Sequence, residues 1–259
     1  MPESPHIRRF FDEFAEEYHL LYPDWSATVI EQGRALDAYV RRALGDGPHA
    51  LLDCACGIGT QAIGLALTGH HVTGTDLSPA AVARAAREAA ARGVRMETAA
   101  ADMRYLPFGD GAFDGVVCAD NSLAHLLTPP DLLAALAAMH RVLRPGGALL
   151  IGMRDYEEAR AVQQRFTPTR LTRTSDGRPV IGLQFWHWHE DREHYDFDLI
   201  HLLPDGDTWQ VHSRRATSWA LTRKQLTPFV TEAGFAEVRW HEPEESGYIQ
   251  PLLTARRVG

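Results

Sequence analysis

The 259-residue chain reads as a doubly wound α/β protein built on a mostly parallel sheet. Three observations predict this. Between residues 50 and 154, short apolar runs alternate with helical stretches, the pattern of βαβ units. The apolar runs show little in/out alternation, as expected of strands covered on both faces. The first of them, in "LLDCACGIGTQ" (Leu51 to Gln61), passes through a glycine-bearing loop straight into a helix. That is the context of a nucleotide or cofactor loop.

Each element follows from local signals. Residues 7–45 read as helical. Phe10, Phe11, Phe14 and Tyr18 fall at helical spacing, and a second run, Val29 to Leu44, follows Pro23-Asp24-Trp25. "ALLDCA" is the first strand, and Thr60 to Thr68 is an apolar helix ended by Gly69. "HHVTGTD" is the second strand. Ser78 and Pro79 open the next helix as N-cap and first-turn proline, and Gly93 closes it. "VRMETAA" and "FDGVVCAD" are the third and fourth strands. Asp131 to Leu143 is a helix, Arg144-Pro145-Gly146-Gly147 a turn, and "ALLIGM" the fifth strand.

After the fifth strand the pattern changes. "GLQFWHWH", "HYDFDLIHLL" and "TWQVHSRRAT" alternate as strands, with turns at Asp176-Gly177 and Asp205-Gly206. They predict an antiparallel β insertion. Leu221 to Ala233 is a helix before Gly234, and "FAEVRWHE" and "YIQPLLTARR" are two closing strands that rejoin the sheet. The expected organisation is an N-terminal helical cap (1–49), a core (50–154), an antiparallel lid (155–217) and a C-terminal helix with closing strands (218–259).

Composition narrows the function classes. The net charge of −8 lacks the basic footprint of a nucleic-acid binder. No apolar run approaches the roughly 20 residues of a membrane helix. "MPESPHIRRFFDEFAEEYH" has no apolar core followed by a cleavage site, so the expected location is cytoplasmic. Three cysteines form no disulfide framework and suit a reducing compartment. Cys54 and Cys56 alone cannot complete a tetrahedral zinc site, and they read as packing residues.

The loop's small residues are Ala55, Gly57 and Gly59. Asp76, at the end of the second strand, stands where a ribose-binding carboxylate sits in βαβ cofactor sites. Asp102 ends the third strand, where an adenine edge would lie. Asp53 precedes the loop and suits the amino end of an amino-acid-bearing cofactor. A dinucleotide site would instead ask for Gly-x-Gly-x-x-Gly, whose last position, here Ala62, can be alanine.

The acid-x-small-x-Gly-x-Gly order resembles motif I of the class I S-adenosylmethionine-dependent methyltransferases. "FDGVVCADNSLAHL" and "HRVLRPGGALLIG" resemble that family's fourth strand with its loop and the lead into its fifth. The resemblance implies a seven-stranded Rossmann-like sheet, S-adenosyl-L-methionine as cofactor and S-adenosyl-L-homocysteine as product. It implies a cofactor set of Asp53, Ala55, Gly57, Gly59, Asp76, Leu77, Asp102, Met103 and Asp120. "DCACGIG", "NSLAHL" and "MRDY" resemble the glycine/sarcosine N-methyltransferase group in particular. That likeness implies a substrate-side asparagine at Asn121 and a carboxylate-binding arginine at Arg154. It also implies pocket tyrosines at Tyr18, Tyr22 and Tyr248. An arginine at the carboxyl end of a central strand faces the ligand crevice of such a sheet and can grip a carboxylate through two hydrogen bonds. His125 or a tyrosine is expected to accept the proton that an amine must shed.

The expected activity is therefore N-methylation of an amino acid or a related carboxylate-bearing amine. The expected partner is a small molecule, with no nucleic acid and no membrane; homo-oligomer formation stays open. O- or C-methylation in secondary metabolism is the alternative. "RDY" and the insertion depart from the glycine N-methyltransferase pattern. In the insertion, His187 and His189 share one strand face, and His194, His201, His212 and His241 lie within folding distance. Three of these converging would make a metal-assisted C-methyltransferase, although no metal ligand is assigned.

Overall fold

The computed structural model describes residues 5–174 and 176–258. Helix α1 (Pro5–Phe14) and a 3-10 turn at Tyr18–Leu21 lead into α2 (Trp25–Leu44), which starts where the Asp24 carboxylate accepts from the Ala27 N–H. The core then alternates β1 (Ala50–Asp53), α3 (Thr60–Leu67), β2 (His71–Asp76), α4 (Pro79–Ala91), β3 (Glu97–Ala100) and β4 (Phe113–Cys118). It continues through α5 (Pro129–Val142) and β5 (Leu143–Gly152). Ser78 and Thr128 cap α4 and α5 from their side-chain oxygens, each followed by a proline in the first turn. The predicted Arg144–Gly147 turn lies instead within β5, as an irregularity where the register against β4 shifts between Phe113 and Gly115.

A short α6 (Glu157–Val162) precedes the insertion, which has one strand more than its alternation predicts. Its strands are β6 (Phe166–Arg173), β7 (Pro179–Trp188), β8 (His194–Asp205) and β9 (Thr208–Trp219). They form an antiparallel sheet in the order β6-β7-β8-β9. Pro168 hides β6 from a sequence reading, but an edge strand tolerates proline. The chain closes with α7 (Arg223–Glu232), β10 (Phe235–His241), a short α8 (Pro243–Ser246) and β11 (Leu252–Arg257).

The main sheet has seven strands in the order β10-β11-β5-β4-β1-β2-β3. All neighbours from β5 to β3 pair in parallel, and β11 runs antiparallel to both β5 and β10. Successive residues leave the sheet on opposite faces. Leu52, Val116, Leu149 and Ile151 join one buried cluster with α5 and α7, while Leu51, Val117 and Leu150 join another with α2 and α3. Both faces are thus covered, which explains the weak alternation of these strands. The inner face of the second sheet, with Trp186, Tyr195, Phe197 and Leu199, packs into the first cluster together with Phe10 and Phe14 of α1. Cap, core and insertion therefore close around common ground. Among the described residues no helix is long and apolar enough to cross a membrane.

Candidate active site

The carboxyl ends of β1, β2, β3, β4 and β5 open into one cavity of about 530 Å³, where ligands bind in open α/β sheets. Its walls come from the loops after those strands, from α1 and the 3-10 turn, and from the inner face of the second sheet.

The loop after β1 reaches the cavity through Ala55 and Gly57. Gly57 has φ +51°, and nothing lies within 4 Å of where its Cβ would be, so the bare backbone faces open space. Asp76 receives the Gly57 N–H (2.9 Å) on one carboxylate oxygen and the Ser78 N–H (2.8 Å) on the other. Each oxygen keeps a lone pair for a hydroxyl donor. Leu77, Met103 and Asp120 line the same wall. Asp102 lines it too, but its carboxylate is clamped by the Arg104 guanidinium (2.6 Å), which also grips Asp131.

Asp53 and Gly59 do not form part of that wall and act from behind it. Gly59 is the N-cap of α3 with φ +95°, and a Cβ there would meet Ile63 at 2.8 Å. It shapes the turn of the loop into α3. Asp53 is 1% exposed, and one of its oxygens has no partner among the described residues. Burial pushes its carboxyl up to about 7, and Asp76 and Asp120 add to the rise. A cation across the loop would relieve this group. The buried Cys54, Cys56 and Cys118 are free thiols. A hydrogen bond with Cys118, then burial, raises the Cys54 thiol, and burial raises that of Cys56, so both stay protonated packing groups.

The acceptor end is built from side chains far apart in sequence. Asp120 (φ +51°) and Asn121 (φ +69°) are consecutive left-handed residues, a conformation that aspartate and asparagine tolerate best after glycine. Their turn brings Asp120 beneath the cap. Tyr18 and Tyr22 donate to its Oδ2 at 2.8 and 2.5 Å, and Gln250 donates to its Oδ1 at 3.3 Å. Burial, followed by the Asp120 charge, raises both phenols, so they remain neutral orienting groups. Asn121 lines the cavity, and its amide keeps one N–H and one lone pair beyond two bonds within the protein. It donates to Tyr156 Oη (2.7 Å) and accepts from the Arg154 backbone N–H (3.2 Å). It thereby also supports the Arg154 backbone from within the wall.

Arg154 lies in the wall with its guanidinium 5.1 Å from the centre of the Trp186 ring. Among the described residues no carboxylate pairs with it. His125 also lines the cavity, with Nδ1 3.4 Å from the Thr217 carbonyl and burial pushing it down to about 4. Tyr248 lies behind the cavity wall. It is 1% exposed, takes a hydrogen bond from Gln61, and its ring lies against Gly152, where an added Cβ would meet it at 2.6 Å. Its neighbours Ile249 and Gln250 reach the cavity instead. The histidines of the insertion do not converge. His187, His189, His194 and His241 contact Asp198, Asp196, Asp191 and Glu245 respectively, and His201 and His212 share Glu17. Among the described residues no group of three or more His, Cys, Asp or Glu side chains could hold a metal ion.

Residues 51–147 match the family model described as "Methyltransferase domain". The glycine/sarcosine N-methyltransferase of Parasynechococcus marenigrum is 34% identical over 157 residues, 60% of this chain and 54% of that protein. The demethylmenaquinone methyltransferase of Thermus thermophilus is 37% identical over 145 residues, 54% of this chain and 62% of that protein. The chain thus spans little more than half the length of these curated relatives. The solved structure of CalS10, an amino pentose methyltransferase from Micromonospora echinaspora with S-adenosylmethionine bound, is similar throughout. It covers 95% of this chain and 97% of its own, at 25% identity and a TM-score of 0.75. Together these likenesses support a class I S-adenosylmethionine-dependent methyltransferase. The cofactor is S-adenosylmethionine, and the bare Gly57 loop, the open lone pairs of Asp76 and the unpaired oxygen of Asp53 fit it.

Proposed function

We propose that this methyltransferase acts on the amine nitrogen of a small molecule that carries a carboxylate. The observation that carries the reading is the Arg154 guanidinium, held over Trp186 in the cavity wall with no acid paired to it among the described residues. A half-buried guanidinium in a cavity wall favours an anion, and a carboxylate satisfies two of its N–H groups at once. S-adenosylmethionine supplies a methyl carbon already activated by its sulfonium. The chain's own task is to orient the nitrogen and keep water out. Tyr18 and Tyr22, fixed by Asp120, are placed to orient, and Phe10, Phe11 and Phe14 are placed to exclude water. With its ring pushed down to about 4, His125 is neutral at physiological pH and can accept a hydrogen bond from an incoming amine.

Arg154→Ala is expected to raise KM for the acceptor by roughly 30- to 100-fold, the loss of a charge-assisted pair. S-adenosylhomocysteine affinity, measured by calorimetry, should stay within about twofold. A collapse of that affinity would remove Arg154 from the acceptor site.

The extent of the CalS10 likeness favours a second reading, an amino-sugar acceptor. That likeness includes the cap and insertion that build the acceptor end, whereas the glycine/sarcosine relative aligns with 60% of the chain. Parallel assays of glycine, sarcosine and amino pentoses separate the two. A methylated product that retains its free amine would point to oxygen or carbon instead.

A further inference from the structure

Cap and insertion meet at one carboxylate. Glu17 accepts from His201 Nδ1 (3.3 Å), His212 Nδ1 (2.7 Å) and both terminal nitrogens of Arg214 (2.9 and 3.0 Å). Burial pushes its carboxyl up, but the hydrogen bonds from His201, Arg214 and His212 outweigh burial and hold it well below the usual carboxylate range. An ionised carboxylate only accepts, so His201 Nδ1 must carry the proton that points at Glu17. The tautomer of the ring is thereby set, and in that tautomer Nε2 presents a bare lone pair.

That nitrogen has no partner among the described residues. His201 is 1% exposed, and Nε2 is buried with no hydrogen bond among the described residues. Such groups are rare in folded proteins unless a ligand or water completes them. His201 is part of the cavity wall, and so is Gly182, its partner across the β7–β8 ladder. A Cβ on Gly182 would lie 3.6 Å from Nε2, so any larger side chain would roof the nitrogen. On the cap, His201 contacts Phe14 and the Glu17 carboxylate. His125, the histidine expected from sequence, has no carboxylate behind it among the described residues and faces a backbone carbonyl.

We infer that His201, oriented by Glu17, is an acceptor-binding residue whose Nε2 receives a hydrogen bond from a hydroxyl or N–H group of the methyl acceptor remote from the methylated nitrogen. Glu17 is its positioning residue. The inference rests on the small-molecule reading above and refines it. The acceptor carries at least one further donor besides its amine, so hydroxylated amines are favoured over their plain counterparts.

The test is ring-nitrogen NMR on the full chain saturated with S-adenosylhomocysteine, with the His201 signals assigned by their loss in His201→Gln. The probes are matched pairs: serine against alanine, and 2-aminocyclohexanol against cyclohexylamine. The wild-type ring should be protonated at Nδ1, and the Nε2 resonance should move with the hydroxylated member of a pair only. Glu17→Gln should mix the tautomers. For any hydroxylated probe that turns over, it should raise KM about tenfold to a hundredfold, with kcat changed far less. Gly182→Val should abolish the Nε2 response while leaving S-adenosylhomocysteine affinity unchanged. A neutral ring protonated at Nε2, or a resonance that no hydroxylated probe moves, overturns the inference whether or not methyl transfer is seen. A resonance that moves while no amine is methylated leaves the inference standing and counts against N-methylation.

Discussion

The two ends of the cavity are made in different ways. At the cofactor end the parts are near neighbours in sequence and largely backbone. The Gly57 N–H meets Asp76 only 19 residues on, across adjacent parallel strands. At the acceptor end the parts are side chains brought from opposite ends of the chain. Tyr18 reaches Asp120 across 102 residues, and Glu17 reaches Arg214 across 197. The first kind of site is written into a short motif and tolerates little change. The second is an assembly of cap, core and insertion, each of which can vary to suit a different acceptor.

Substitution at Gly57 should break the first end most severely. Gly57→Val forces a β-branched residue into a left-handed conformation and fills the space in front of the loop. Cofactor affinity should fall about a thousandfold, from ~1–3 kcal/mol of strain and a similar loss of hydrogen bonding. Titration calorimetry with S-adenosylhomocysteine measures it. An effect below tenfold would mean that the loop backbone is not the cofactor contact.

His125 offers the next largest effect, at the acceptor end. Its ring is pushed down to about 4 in the folded protein against an ordinary value near 6.5. Between those values the unfolded chain binds the extra proton, so stability falls as pH drops from about 6.5 towards 4 and is fully present above 6.5. The window corresponds to ~3 kcal/mol for this buried ring. In His125→Phe that fraction of the acid sensitivity should vanish from urea unfolding measured at pH 7 and pH 4.5. An unchanged difference between the two pH values would show that other groups carry it.

The same contrast explains what could be read in advance. The alternation of strands and helices and the Ser78 cap express local rules and stand where those rules put them, and the same rules bring Ala55, Gly57, Asp76 and Asp102 to one cavity wall. Strand β6 escaped because Pro168 breaks its pattern, and only its edge position makes the proline tolerable. Tyr248 looked as good as Tyr18 because nothing in a sequence tells which of Tyr248, Ile249 and Gln250 turns toward a cavity. The pairing of Glu17 with His201 had no local signal at all. A histidine-rich strand advertises metal binding, and only the fold distributes its rings among separate carboxylates.

Asp120 is where the comparison can be sharpened, because it belongs to both ends. It ends the loop after β4, lines the cavity, and holds the cap through Tyr18 and Tyr22 and the C-terminal segment through Gln250. Asp120→Asn preserves the left-handed turn, since asparagine tolerates φ near +50°, and keeps one oxygen as an acceptor. It removes the charge that strengthens three hydrogen bonds, a change of about 1 kcal/mol or roughly fivefold to tenfold. If the cap only shields the acceptor, KM for the acceptor should rise by that factor while cofactor affinity holds. If the cap also closes over the cofactor, both constants should shift together, because loosening Tyr18 and Tyr22 opens one shared wall. Equal shifts would show that the two ends, so different in how they are encoded, are energetically one site.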